Sequence, residues 1–452
     1  MDVLLLPIQK EICYLVQLTL TVPTMKDRAM QALYKLALEP VSETLADWNS
    51  YGFRVHRSTA DASIGCFNAL NKSNSAQWIF EADIAGCFDH ISHDWLLENV
   101  PLDKSILRKW LKAGFMESKS LFATEEGTPQ GGIISPMLAN LALDGLEREL
   151  RKRFKPANWK IAGKYKMNFV RYADDFIITG ISKEFLESEV KPVVEEFLAK
   201  RGLTLSAEKT KITHIDKGFD FLGFNIRKYN GVLLIKPAKD NIKVFLNNIR
   251  ETIKSHKMVT TEVLIGLLNP KITGWGNYHR HIVASDAFKW CDYQIYKALW
   301  RWAKRRHPKK GRRWIKSRYF KSVKNRNWVF ATTTITEEGD KRLKSLRYLS
   351  EIKIVRHTKI KVDVNTFNPD DEEYFEKRQQ AQMLKSLTGR VRIASVWKRQ
   401  NGYCPCCQQL ISKESTWDIH HIVRKTDGGS DNLDNLVMLH TNCHRQVHCR
   451  PK

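Results

Sequence analysis

The sequence has no long uninterrupted apolar run. Its one candidate, MDVLLLPIQKEICYLVQLTL, is broken by Lys10-Glu11 and headed by Asp2 instead of a basic cluster. Neither a membrane span nor a secretory leader is therefore expected, no membrane partner follows, and the expected compartment is the bacterial cytoplasm or an organelle of bacterial descent. Acidic residues are short against basic ones: 49 Asp and Glu face 74 Lys and Arg, a formal net charge of +25 at pH 7. That excess is larger than solubility needs and is typical of a polyanion binder, with nucleic acid the leading partner. A disulfide framework is missing too. Of nine cysteines, Cys13, Cys66, Cys87 and Cys291 are scattered and read as core thiols, while Cys404, Cys406, Cys407, Cys443 and Cys449 bunch near the end, which suits reduced thiols and a metal. There is no internal repeat and no long low-complexity tract. What remains is 452 residues with 42% hydrophobic side chains, enough for about three ordinary cores.

Helical and strand-like patterns alternate from residue 24 to residue 227, an α+β arrangement. QWIFEADIAG reads as a strand delivering Asp83 at its end. Ser135-Pro136 opens a helix whose Leu138, Leu141, Leu146 and Leu150 share a face until RELRKRF closes it with basic residues. From Asp240 to about Phe330 the pattern turns helical. Between Arg301 and Phe330 stand thirteen Lys and Arg and no acid, interleaved with Trp302, Trp314, Tyr319, Phe320 and Trp328, the composition of a nucleic-acid surface. A polar stretch containing NPDDEEYFEKR then leads to a last compact unit. The expected domains are 1–23, an atypical N-terminal segment; 24–235; 240–335; a linker or DNA-binding region at 336–389; and 390–452.

Two places carry chemistry. In FVRYADDFIITG, two short strands put Ala173-Asp174-Asp175 at a hairpin tip. Carboxylates roughly 4 Å apart repel by about 4 kcal/mol at an effective dielectric near 20, so a cation is expected beside them. With Asp83 as a third carboxylate, the set suits two Mg²⁺ ions, which activate an attacking 3′-oxygen and stabilise a departing pyrophosphate. Near the end, Cys404-x2-Cys407 and His440-x2-Cys443 have the spacing of a structural Zn²⁺ site. A unit of about 60 residues has too little core to be comfortable without such a staple. His444 and His448, at i and i+4, fall on one helix face.

FEADIAGCFDHI, GTPQGGIISPMLANL, RYADDFIITG, LSAEKTKIT and FDFLGFNI occur in that order and resemble the successive palm motifs of group II intron reverse transcriptases; ITGWGNYHR resembles their maturase thumb. The stretch from Trp417 to His448 resembles the HNH nuclease motif, an appendage of the same proteins. The resemblance implies a right-hand polymerase palm, a helical thumb and a small ββα-metal unit, with the fingers, longer in the family, expected to be truncated here. It implies that Asp83 and Asp174 ligate Mg²⁺ with Asp175 supporting them, and that Phe88 is the steric gate against a ribose 2′-hydroxyl. Gln130 and Gly131 would line the pocket for dNTP and template, Lys209 would sit near the triphosphate, and FDFLGF would grip the primer end. In the terminal unit His421 would be the general base, His420, His444 and His448 would ligate a divalent catalytic metal, and Asn435 would orient the loop presenting His421. The implied partners are intron RNA and target DNA, and the implied activities are reverse transcription, intron splicing and DNA cleavage.

The N-terminus departs from the family pattern: no Lys or Arg occurs from Glu11 to Pro23, and Val55-His56 replaces the usual proline and basic residue, although Arg54 and Arg57 remain for contact with a nucleic-acid backbone. Primer extension is therefore expected to be slow. The alternative reading is a non-catalytic maturase that binds intron RNA and has lost polymerisation.

Overall fold

Strands buried on both faces read as mostly apolar runs, and the centre of the N-terminal unit is made of them, with Glu81 and Arg171 the buried charges among them. The computed structural model describes residues 6–7, 21–117, 120–122, 126–128, 131–154, 163–323, 325–335 and 340–449. It comprises two units, residues 1–362 and 363–452. In the first, β1 (Trp78–Ala82), β2 (Asn168–Tyr172), β3 (Asp175–Gly180) and β4 (Lys211–His214) form an antiparallel sheet ordered β2-β3-β1-β4. Phe80, Phe169, Phe176 and Ile178 point to one face and join the core with Leu138, Leu150, Val194 and Leu198 from the helices covering it. On the other face Val170 meets the helix Thr59–Leu70 at Gly65, where an added Cβ would touch both Val170 and Tyr51.

The long helix expected after Ser135 is two helices, α1 (Ser135–Leu143) and α2 (Leu146–Phe154). All four leucines are buried as the pattern required. The break is at Asp144-Gly145, where Gly145 adopts φ +101° and Asp144 turns into the sheet to meet Arg171.

The hairpin Phe219–Phe221 and Phe224–Tyr229 turns on Leu222-Gly223, both with positive φ, and pairs onward with Val232–Pro237. Three long helices follow: α3 (Lys239–Ser255), α4 (Thr261–His279) and α5 (Ser285–Arg306). Helical structure ends with Arg312–Tyr319, earlier than the expected Phe330, and β5 (Phe320–Val323), β6 (Arg326–Ile335) and β7 (Lys341–Ser345) form a second antiparallel sheet. The basic residues masked a β signal there, since NWVFATTTI is rich in aromatic and β-branched side chains.

The expected linker also differs from the observed chain. Its first part belongs to the N-terminal unit: Val355 N–H donates to the Arg280 carbonyl (2.8 Å), and Ile360 N–H to Asp61 Oδ1 (2.8 Å). Its second part contains helix α6 (Glu372–Ser386), whose Met383 enters the terminal core with Leu387. The acidic surface of that helix hid its apolar residues. The terminal unit is completed by Val391–Arg399, by the hairpin β8 (Trp417–His421) and β9 (Leu436–His440), and by α7 (Thr441–Cys449), a ββα arrangement.

Candidate functional site

Asp174 lies in a two-residue turn, because Tyr172 pairs with Asp175 across the β2–β3 hairpin. Ala173 holds φ +57°, an uncommon conformation for a residue with a Cβ. Two neighbours enforce it. Gly52 approaches so closely that a Cβ there would lie 2.3 Å from the Ala173 nitrogen, and the fully buried Arg171 donates Nη1 to the Ala173 carbonyl and to Asn140 Oδ1, both at 3.2 Å. Arg171 Nη2 binds Asp144, whose Oδ1 also accepts from Asp47 N–H (3.2 Å), while Asp47 Oδ2 accepts from the N–H groups of Gly145 (3.0 Å) and Glu147 (3.1 Å). Burial raises both aspartates, and for Asp47 the nearby Asp144 raises it further. Arg171, Asn140, Asp144 and Asp47 escaped the sequence reading; the one signal was Arg171 itself, a lone charge inside an apolar strand.

Asp83 follows β1, and its carbonyl accepts from Ser206 N–H (2.8 Å). The turn Ser206 to Thr210, closed at 2.9 Å, carries Lys209, whose Nζ sits 3.1 Å from Asp83 Oδ2. The cation expected beside the carboxylates is thus, within the chain, Lys209. Burial raises Asp174, with Asp83 adding to it; burial, Asp174 and Asp83 together push Asp175 up to about 6. The hydrogen bond and charge of Asp83 raise Lys209 in turn. Three hard carboxylates in mutual repulsion form a donor set that suits Mg²⁺.

Phe88 is half-buried on the single turn Cys87–His90, its ring 6.4 Å from that of Phe53. Its carbonyl accepts from Thr128 N–H (2.6 Å), and Gly127, at φ +82°, leaves no room for a Cβ against the backbone of Phe88 and Asp89. Gly131 is exposed at φ +103° on the approach to α1. Gln130, Cys13 and residues 8–20 lie outside the described residues. Arg54 and Arg57 do not offer themselves to a nucleic-acid backbone. Both pair with Glu43, Arg54 through Nη2 at 2.6 Å and Arg57 through Nη2 at 3.3 Å, with side chains 7% and 1% exposed.

Two groups among the described residues gather three or more ligand atoms within 4.8 Å of one another, and both lie in the terminal unit: Cys404, Cys407, His440 and Cys443, and His420, His444 and His448; the carboxylate oxygens of Asp83, Asp174 and Asp175 are spread wider than that. Burial opposes the Cys404 thiolate, but the N–H groups of His440, Cys407 and Cys406 outweigh it and bring the thiol down to about 6. Burial and the neighbouring Cys407 and Cys404 push Cys443 up to about 12, crowding that a cation relieves. The sulfur and imidazole set suits Zn²⁺. Cys406 and Cys449 are exposed, and Cys66, Cys87 and Cys291 are buried thiols pushed up to about 12 by desolvation.

Burial lowers His420, with His444 and His448 adding to the effect, which favours the neutral ring a metal needs. Its neighbour on β8, His421, points the other way. His421 Nε2 meets Asp431 Oδ1 at 2.8 Å, and hydrogen bonds from Lys425 and then His421 depress Asp431 to about 2. Asn435 pins the intervening loop: its Oδ1 accepts from Val423 N–H (2.7 Å), and its Nδ2 donates to Val423 O (3.0 Å) and Ser430 O (2.7 Å). Asp431 and Asp418, the latter 3.4 Å from His444 Nδ1, were not foreseen, because acids in a polar loop resemble ordinary turn residues.

On the basic segment three of the five interleaved aromatics, Trp302, Tyr319 and Phe320, are core side chains, whereas Trp314 and Trp328 are 38% and 37% exposed. No helix among the described residues is long and apolar enough to cross a membrane.

Three family models match the chain in succession: Reverse transcriptase (RNA-dependent DNA polymerase) over residues 16–226, Group II intron, maturase-specific domain over 242–320, and HNH endonuclease over 404–450. Group II intron-encoded protein LtrA of Lactococcus lactis subsp. cremoris is 31% identical, the match covering 50% of this chain and 50% of that protein. Protein YkfC of Escherichia coli (strain K12) is 31% identical over 46% of this chain and 62% of its own length. The chain thus spans about half to three-fifths of these curated relatives. Among solved structures, telomerase from Candida albicans with a fragment of telomeric RNA is similar at a TM-score of 0.38 and 13% identity, over 67% of this chain and 59% of that one.

Proposed function

From a chain that belongs to the group II intron-encoded reverse transcriptases with maturase and HNH domains, we propose an RNA-directed DNA polymerase that also binds its intron RNA for splicing and cuts target DNA with its terminal unit. One observation carries the polymerase reading: the end of β1 and the β2–β3 turn bring Asp83, Asp174 and Asp175 together beside Lys209. Mg²⁺, when bound by Asp83 and Asp174, would supply Lewis-acid activation of the primer 3′-oxygen and charge stabilisation of the pyrophosphate. The buried Arg171 keeps the turn in its unusual conformation, so the carboxylates keep their positions without reorganisation. Lys209 is 68% exposed and free to swing from Asp83 to the triphosphate of an incoming dNTP. Phe88, held by Gly127 and Thr128, would close the space of a 2′-hydroxyl, and Gly131 would let the loop backbone approach the nucleotide.

In the terminal unit Zn²⁺ would be held by Cys404, Cys407, His440 and Cys443, and a second divalent ion by His420, His444 and His448. Asp431 accepts from His421 Nε2–H, which leaves the Nδ1 lone pair to take a proton from water. The intact carboxylate trio favours the polymerase over the alternative of a non-catalytic maturase. The test is nicking of a DNA duplex by the wild type and by His421→Ala. Loss of nicking with zinc content and primer extension retained supports the assignment, and equal loss of zinc would make His421 structural.

A further inference from the structure

The helix α5 meets the β5–β6–β7 sheet at an open cleft of about 640 Å³, within the range of small-ligand sites. Lys289, Tyr293 and Tyr296 line it from α5, recurring at the spacing that shares one helix face, and Arg326, Trp328 and Tyr348 line the facing side. Four aromatic side chains line it, Tyr296 and Tyr348 half-buried and two exposed: Tyr293 at 55% and Trp328 at 37%.

Trp328 also has φ +67°, an outlier for a bulky residue, beside a register irregularity between Lys321 and Val323. The surroundings hold it there: Tyr348 Oη donates to its carbonyl (3.3 Å), Lys316 Nζ lies 4.7 Å from its ring centre, and Trp300 packs at 5.7 Å. Strain of this kind persists where several contacts over-determine it, and it clusters at ligand clamps.

The charges in the cleft are arranged for an anion. Asp292, its one acid, is consumed by the chain itself: Oδ1 accepts from Leu349 N–H (2.8 Å), and Oδ2 from Ser350 N–H (3.0 Å) and Oγ–H (2.5 Å). Arg326 stacks 4.5 Å over Tyr348, with Nε 3.1 Å from the exposed Glu351 and Nη2 donating to Ser350 Oγ (3.1 Å), so its charge is shared with a surface acid, while Lys289 has no ion-pair partner among the described residues.

We propose that this cleft receives one unpaired nucleotide, its base stacked on Trp328 and Tyr293 and its phosphate facing Lys289 and Arg326. Aromatic platforms bordered by cations bind single strands because every base has a π-face, while a base inside a duplex has both faces covered. The inference rests on the nucleic-acid reading above and adds to it a strand preference. An RNA loop and a displaced DNA strand share this chemistry.

The test uses the full chain and three probes: a 12-nucleotide single-stranded RNA carrying 2-aminopurine, the DNA of the same sequence, and the RNA annealed to its complement. Trp328→Ala and Tyr293→Ala are each expected to weaken single-strand binding about ten-fold and to remove the quenching of 2-aminopurine. Duplex binding and primer extension should stay within about two-fold, and Trp328→Phe should restore the quenching. Comparing the RNA and DNA arms identifies the favoured strand. Should Trp328→Ala misfold, Tyr293→Ala on the exposed face of α5 carries the test alone. Unchanged single-strand affinity in Tyr293→Ala, or an equal loss on duplex, overturns the cleft; failure of the wild type to bind any probe overturns the nucleic-acid reading itself.

Discussion

At the carboxylate centre the reactive side chains come from distant segments, and a backbone ladder sets their spacing: Asp83 arrives at the end of β1 and Asp174 in the turn of the paired hairpin. In the terminal unit the side chains themselves close the fold, because Cys404 and Cys407 from one loop, His440 from the end of β9 and Cys443 from α7 converge onto one point around a small core. The difference teaches what each ligand is for. A sheet-built centre survives loss of a ligand and loses only its chemistry, whereas a ligand-built unit loses its structure. Asp174→Ala even removes a like-charge contact with Asp83, so it should leave stability unchanged or raised.

The largest effect should follow Cys404→Ser. The structural ion in isolated zinc-binding peptides contributes on the order of 10 kcal/mol. Removing a ligand should therefore release zinc and open residues 363–452 to proteolysis, with primer extension retained. Retained zinc and protease resistance would show that the terminal core stands without its staple, and the comparison would fail.

Arg171→Met reaches the support beneath the carboxylates. It leaves Asp144 and Asp47 buried without their cation, and breaking such pairs costs about 3–5 kcal/mol. The expected result is a lower urea midpoint together with slower extension, since Ala173 loses its donor. Arg171→Lys should recover part of the stability and less of the rate, because a single ammonium does not span Asn140, Ala173 and Asp144.

Acid should weaken the N-terminal unit through a histidine pair outside both centres. Burial lowers His281 to about 4, with His357 and His279 adding to the effect, and its Nε2 meets Ser63 Oγ at 3.1 Å. The unfolded chain binds that proton near pH 6.5, so the contribution is full above 6.5 and is lost as pH falls toward 4, up to about 3 kcal/mol. Burial opposes the Asp61 carboxylate, but bonds from His357, Ser58 and Ile360 lower it overall, so its contribution holds above its ordinary value and fails in stronger acid. Melting temperature against pH should fall across this window and flatten in His281→Asn; an unchanged slope would assign the loss elsewhere.

The smallest effect is expected from Phe88→Ala. Relief of the clash should raise ribonucleotide over deoxynucleotide incorporation by about ten-fold. A ratio that does not move would return Phe88 to packing alone.

Legibility follows the same division. The Cys and His spacings are local, so Cys404, Cys407, His440 and Cys443 could be named from the residues, whereas His420, His444 and His448 came from the resemblance; Asp174-Asp175 announced its own hairpin. What stayed hidden depends on contacts between distant segments: Arg171 with Asp144, Gly52 against Ala173, and the chain at 355–360 tied to Arg280 and Asp61. Composition also misled in places. Basic residues concealed β5 and β6, acids concealed the buried side of α6, and Arg54 and Arg57 proved to be internal partners of Glu43.

The central claim is that Asp83, Asp174 and Asp175 form a working nucleotidyl-transfer centre. Single-turnover incorporation of dTTP on a poly(rA)/oligo(dT) primer tests it, with wild type, Asp174→Ala and His421→Ala at equal primer occupancy. Extension by the wild type and by His421→Ala, with Asp174→Ala slower by about three orders of magnitude or more, is the predicted result. Undiminished extension by Asp174→Ala, or none by the folded wild type with Mg²⁺ present, would contradict it.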